Sequence, residues 1–386
     1  MRKVSLLFLV VFSRLGFAQQ IDTLVFFSSI FEENRELRIH LPQFYKYSSE
    51  KRSLPVIYLL DGQHNWFVNP LLSDIRYLQY THEIPEAIVV EIPLIDRVEE
   101  SLFKSLEGEK SALHRFIIEE VDSILRDYRP NKVRVLIGHS FTASFALYSY
   151  LQEANFYSAV LAHSPLYKVE KLAQALQELT IDEQNGICLS IGSVASGKDS
   201  IHRLAYDRIR AAYPRLFANI HSYEGDFSGH TSIPIVANPY FLSLLFMDFS
   251  TRYNTIAKVD FEYALLKPPL SPVEELQKIR DQSQLLGEFY PPEVPAFNGM
   301  ISRYWNSDYL EHCKALLQEA LIYYPLYYDF HWQLYELYWL EGAEEKAKYH
   351  LLEASRLIIT MEGGAEDWHD LIRQIDAELE KRNWEP

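Results

Sequence analysis

Six short, largely apolar runs recur between residues 54 and 223: Leu54–Leu60, Ala87–Ile92, Val133–Ile137, Ala159–Ala162, Ile187–Ile191 and Ala218–Tyr223. Each is too short and too apolar for a surface helix, and runs of this kind are strands buried on both faces. Amphipathic stretches lie between them. The clearest places Leu113, Phe116, Ile117, Val121, Ile124, Leu125 and Tyr128 along one face of a helix. Buried strands that alternate with such helices predict an α/β fold, a mostly parallel sheet with helices on both faces. Ahead of it, Thr23–Ser28 and Glu36–His40 flank the polar Glu32-Glu33-Asn34 and predict a hairpin that ends at Pro42.

The ends of the chain read differently. Arg2 and Lys3 precede the apolar Val4–Phe12, and Gly16-Phe17-Ala18 is a small-x-small triplet suited to signal peptidase, so residues 1–18 are expected to be a cleaved signal peptide. Arg14 ends the run short of the roughly 20 residues needed to span a bilayer. The expectation is an exported protein, periplasmic or secreted, without an integral membrane segment after cleavage. Loss of Arg2, Lys3 and Arg14 takes the formal charge from −16 to −19. With 37 Lys+Arg against 53 Asp+Glu and no basic run, a nucleic-acid partner is excluded. Cys188 and Cys313 lie among apolar neighbours and read as two buried free thiols.

Past residue 249 the strand signals stop. Proline pairs bracket a connector, 250–295, with a helix expected over Val273–Leu286. Residues 296–386 read as helical and repetitive: 34 residues separate Tyr304 from Tyr338, Cys313 from Ala347, Leu317 from Leu351 and Ala320 from Ala354. This spacing resembles tetratricopeptide-type helical hairpins. Two such units make a thin core, so the tail must dock on the sheet domain or on a protein partner. Its density of aromatics between Tyr323 and Trp339 favours docking, with a place beside the active-site edge of the sheet as one expectation.

The chemistry centres on Val133-Arg-Val-Leu-Ile-Gly138-His139-Ser140-Phe141-Thr142-Ala143, which reads as strand, sharp turn, then helix. A serine placed there projects its hydroxyl above the carboxyl edge of the sheet while the new helix turns backbone N–H groups toward the same point. That is a nucleophile elbow, and Ser140 is its nucleophile; a helix-capping serine is the structural alternative.

Taken together, Leu54–Leu60 with Asp61-Gly62, Ile88–Pro93 followed by Asp96-Arg97, Tyr128-Arg129-Pro130, Gly138-His139-Ser140-Phe141 and Ser164-Pro165 resemble the esterase family of the α/β-hydrolase fold, which has esterase D-type, enterochelin esterase-type and mycolyltransferase-like members. The resemblance covers about residues 21–247, within a hydrolase domain assigned to 19–249. It implies an oxyanion hole built from the backbone N–H groups of Phe141 and Gln63. It also implies a general base at His230, ahead of Ser232-Ile-Pro234, and an acid in the loop after Ile187–Ile191, where Asp199 is the one carboxylate. Asp226, Glu224 or a Ser/His dyad without an acid are the alternatives. His139 and His163 are expected to pack or to shape the pocket. Thr142 stands where the family usually has Gly, a departure expected to crowd the contact between strand and helix.

Neither a metal nor another cofactor is implied by the sequence: no metal-ligand motif and no phosphate-binding loop occurs. The implied function is an exported serine hydrolase that cleaves carboxylic esters, of siderophore or acylated-carbohydrate type, through an acyl-enzyme. The alternative is a catalytically inactive binding protein that acts through its helical tail.

Overall fold

A computed structural model of the protein describes residues 20–193, 199–362 and 368–384, so the expected signal peptide lies outside the described residues. Eight strands form one sheet: β1 (Ile21–Ser28), β2 (Glu33–His40), β3 (Leu54–Leu60), β4 (Ile88–Ile92), β5 (Pro130–His139), β6 (Ala159–His163), β7 (Ile187–Gly192) and β8 (His221–Gly225). Their spatial order is β1-β2-β4-β3-β5-β6-β7-β8. The pairs β1/β2 and β2/β4 are antiparallel, and every pairing from β4 through β3 to β8 is parallel. This is the architecture of an α/β-hydrolase sheet. β3, β4, β6 and β7 are buried along their whole length, which is why they appear in the sequence as predominantly apolar runs.

Three local expectations are corrected. Glu33 and Asn34 are not hairpin turn residues, because they pair with Ser28 and Phe27, and the turn falls one step earlier with Glu32 in the left-handed region at φ 56°. Ala218 and Asn219 belong to a short helix, Pro214–Asn219, that proline initiates, so β8 starts only at His221. The face running from Leu113 to Tyr128 is helical but includes a wide π turn over Phe116–Val121. That extra room lets Phe116, Ile117 and Val121 all be fully buried.

Beyond the sheet, helices Val294–Asn306, Leu310–Tyr323, Tyr328–Leu340, Glu344–Glu362 and His369–Arg382 enclose a second hydrophobic core. Both members of each pair 34 apart are buried in this core: Tyr304 and Tyr338, Cys313 and Ala347, Leu317 and Leu351, and Ala320 and Ala354. Cys188 and Cys313 are both buried and unpaired. The expected connector helix is shorter than its sequence pattern, Pro272–Gln282, and a small hairpin of Gln284–Leu285 with Glu288–Phe289 follows it. The segment is no free linker, because Phe249, Leu285 and Tyr290 join the sheet's core while Ile256 and Ile279 join that of the helices. Among the described residues, no helix is long and apolar enough to cross a membrane.

The tail docks at the amino edge of the parallel strands, opposite the edge that carries Ser140. The loop before β3 supplies Phe44 and Tyr47, which pack edge-on against Tyr327. The Ser49 N–H donates to the Tyr323 carbonyl at 2.8 Å. Arg52 is fully buried between the two parts. Its guanidinium pairs with Glu86 at 2.8 Å, donates to the Tyr290 hydroxyl at 2.9 Å and lies over the rings of Tyr290 and Tyr324. Glu293 completes the cluster by accepting from the Glu86 N–H at 2.6 Å and the Tyr290 hydroxyl at 2.7 Å. Of the dense aromatics, Tyr324 and Tyr327 make this contact. The tail therefore does not border the active-site edge.

Removing one member of a buried ion cluster strands its partners in a site without water. Arg52→Met should destabilise the chain by about 3–5 kcal/mol in denaturant unfolding, and truncation after Asp248 should leave a destabilised or insoluble sheet domain. A soluble truncated protein with the full-length melting temperature would contradict this docking.

Candidate active site

The strand ends at the carboxyl edge converge on Ser140. β5 stops at His139, and Ser140 takes φ 60° and ψ −115° before helix Phe141–Gln152 begins. Such a backbone is strained for a residue with a side chain and is held only where the surroundings enforce it. The enforcement is visible on both sides. The Ser140 N–H donates to the His163 carbonyl of β6 at 2.8 Å. Gly138 lies so close to the helix that a Cβ there would sit 2.3 Å from the Thr142 carbonyl oxygen. Ser140 itself is nearly buried, at 8% exposure.

Thr142 corrects the expectation of a crowded contact. Its hydroxyl donates to Asp61 at 2.6 Å and accepts the His139 N–H at 2.8 Å. Asp61, at the end of β3 with φ 63°, also receives two bonds from Arg97, at 2.6 and 3.1 Å, and Arg97 donates further to the His139 carbonyl at 2.8 Å. The hydroxyl thus ties the elbow to the loop after β3 through Asp61, the buried member of an ion pair with Arg97. In that loop the Gly62 N–H donates to the Ile92 carbonyl and the His64 N–H to the Asp61 carbonyl. Among the described residues the Gln63 N–H between them has no acceptor. The Gln63 side chain is pinned by the Leu94 N–H at 2.8 Å and by Asp61 at 3.3 Å. The Phe141 N–H is the first of its helix and has no acceptor within it.

His230 follows β8. Its Nδ1 lies 2.8 Å from Asp199 Oδ1, and its carbonyl accepts from His139 Nε2 at 2.8 Å. The His139 and His230 rings pack with centroids 4.4 Å apart, which sets His230 against the residue preceding Ser140. Burial and the neighbouring His230 push His139 down to about 3, so it stays neutral and serves as a fixed donor. His163 is likewise pushed down to about 3 by burial, with its Nδ1 2.8 Å from the Ser190 hydroxyl.

Asp199 is fully buried. Its Oδ2 accepts the Ser164 hydroxyl at 2.7 Å and the Gly192 N–H at 2.8 Å, while Oδ1 faces His230 and, at 3.1 Å, His202 Nδ1. Burial alone would raise its pKa, but the bonds from His202, His230, Ser164 and Gly192 outweigh that and hold the carboxyl well below the usual range. It is therefore ionised and accepts only, so both Nδ1 atoms carry protons. The alternatives do not reach His230: Glu224 is engaged by Arg203, Arg210 and Tyr206, and Asp226 is exposed.

An ionised carboxylate that holds an imidazole packed on the residue before a strained, nearly buried serine, with free backbone N–H groups on two elements, is an arrangement suited to acyl transfer. On this fold it defines the serine-hydrolase class. Residues 28–200 match the family model described as "Putative esterase", a stretch that includes Ser140 and Asp199 and stops short of His230. That segment, under half of the chain, carries the features of an esterase of this class. Among solved structures the chain is similar to an IroE-like serine hydrolase from Shewanella oneidensis, at 19% identity and TM-score 0.57, with 78% of this chain and 99% of that one covered. It is also similar to an uncharacterised protein from Capnocytophaga ochracea, at 15% identity and TM-score 0.54, with 87% and 94% covered. Both likenesses are of fold. The comparison with curated proteins found no match.

Sequence reasoning did not find the roles of Thr142, Arg97 and His202. Arg97 stood within a family motif, and His202 lies three residues past Asp199 at a helix start, but neither spacing announces its partner. Thr142→Ala removes a donor to Asp61 and leaves the His139 N–H unpaired, so it should cost about 1–3 kcal/mol in chemical denaturation. Thr142→Ser should recover most of that loss; equal loss in both variants would assign the effect to packing.

Proposed function

We propose that the chain is an exported esterase that cleaves carboxylic esters by way of an acyl-enzyme. Ser140 is the nucleophile, His230 the general base and Asp199 the acid that orients it. The N–H groups of Phe141 and Gln63 receive the developing oxyanion. The observation that carries this reading is the 2.8 Å contact between His230 Nδ1 and the buried Asp199 carboxylate. With its proton fixed on Nδ1, the imidazole keeps the Nε2 lone pair for the Ser140 proton. Attack then forms the Oγ–acyl bond, His230 returns that proton to the leaving alcohol, and a water activated by the same Nε2 releases the acid.

Siderophore esters and acylated carbohydrates are the substrate classes that the family resemblance suggests, and export would set the enzyme where such compounds are met. The bonds of Thr142 to Asp61 and His139, and the contact of Asp199 with His230, favour the esterase over an inactive binding protein that acts through its helical tail.

Hydrolysis of a short-chain aryl ester tests the reading. Ser140→Ala and His230→Ala should each lower kcat by about four to six orders of magnitude with the melting temperature retained. Asp199→Asn should lower kcat by about 10⁴-fold. Wild-type rates in His230→Ala would place the base elsewhere and overturn the assignment.

A further inference from the structure

We propose that His202, Asp199 and His230 form a binding site for a divalent transition-metal ion, zinc above all, whose occupancy switches the esterase off. The ester chemistry uses only one of the two imidazoles on the Asp199 carboxylate. His202 Nδ1 and His230 Nδ1 approach the same oxygen, Oδ1, at 3.1 and 2.8 Å, and their rings stack with centroids 4.0 Å apart. The three ligand atoms all lie within 4.8 Å of one another. Two imidazole nitrogens and a carboxylate oxygen are a ligand set for zinc, with a fourth position left to water.

The geometry needs little adjustment. Zinc holds such ligands at about 2.0–2.2 Å, which sets neighbouring donor atoms of a tetrahedral site roughly 3.3 Å apart. The carboxylate is already oriented for the task, since Ser164 and Gly192 occupy Oδ2 and leave Oδ1 to the metal. The two histidine side chains retain 16% and 21% exposure, so an ion can enter from their side of the buried Asp199.

Occupancy would silence the base through proton accounting. A neutral imidazole has one proton. Without metal, that of His230 sits on Nδ1 and leaves the Nε2 lone pair for Ser140. A metal ion takes the Nδ1 lone pair, the proton moves to Nε2 through solvent, and Nε2 can no longer accept one. His202 shifts its proton in the same way, and no proton is gained or lost overall.

The inhibition half of this proposal rests on the esterase reading, whereas the binding half does not, so the experiment reads them separately. The full chain, freed of metal by chelator, is titrated with Co²⁺ followed by visible absorbance and with Zn²⁺ followed by calorimetry. Wild type is compared with His202→Gln, which can still donate to Asp199 but ligates zinc poorly. One ion per chain is expected, with affinity at least about tenfold weaker in the variant. Zn²⁺ should inhibit aryl-ester hydrolysis reversibly with EDTA, and the half-inhibiting concentration should rise at least about tenfold in His202→Gln, each protein being scored against its own metal-free rate. Equal affinity in both proteins, or no saturable binding up to millimolar metal, would overturn the site. Saturable binding that leaves hydrolysis unchanged would overturn the switch. A wild type that binds Co²⁺ but hydrolyses no ester would count against the esterase reading and leave the metal site standing.

Discussion

An ionised carboxylate without solvent contact is tolerated only when its lone pairs are used, and the carboxyl edge of this sheet is organised around one. Asp199 collects donors from the end of β6 (Ser164), the end of β7 (Gly192), the start of the helix Ser200–Ala212 that follows β7 (His202) and the loop after β8 (His230). Desolvation of the charge would cost several kcal/mol if these bonds were absent. Gly192 is part of the bargain: a Cβ there would sit 2.7 Å from Asp199 Oδ2 and also 2.7 Å from the Ser228 carbonyl oxygen. Asp61 repeats the logic across the site, where Arg97 and Thr142 satisfy it and the elbow is thereby fixed. Ser140 lies between two anchored charges, and its strained backbone is held by the bonds they organise.

The opposite edge is built on a different charge. Arg52 at the amino ends of the parallel strands joins the sheet to the helical tail through Glu86, Glu293 and two tyrosines. The proposed site at Ser140 and the docking of the tail therefore lie at separate edges of one sheet. The tail can cover strand ends and add core without constraining what enters at Ser140. Its effect on catalysis is expected to run through stability.

Much of the frame was legible because it rests on local patterns. Predominant apolarity marks β3, β4, β6 and β7, since burial on both faces leaves few polar positions: Glu91, His163 and Ser190 are the buried exceptions. The Gly138–Thr142 turn is equally local, and Ser140 could be singled out from it. Misreadings arose where a neighbour decides the outcome: Pro214 draws Ala218 and Asn219 into a helix, and pairing with β1 draws Glu33 and Asn34 into a strand. The wide turn at Phe116–Val121 alters no apolar spacing strongly enough to show. Contacts between distant segments were the least legible. The bond from Thr142 to Asp61 spans 81 residues and that from His230 to Asp199 spans 31, so residue type suggested the partners while the fold alone brought them together. The docking of Tyr324 and Tyr327 had the same character: aromatic density implied a contact, and only the fold set it at the amino edge.

The central claim is that Asp199, through His230, activates Ser140. It is tested most directly by the second-order rate at which a fluorophosphonate labels Ser140, with the modified peptide identified by mass spectrometry. The account predicts rapid labelling at Ser140 in wild type, in Glu224→Gln and in Asp226→Asn, and labelling slowed by about 10²-fold or more in folded Asp199→Asn. Labelling of Asp199→Asn at the wild-type rate, or its loss in either of the other two variants, would contradict it.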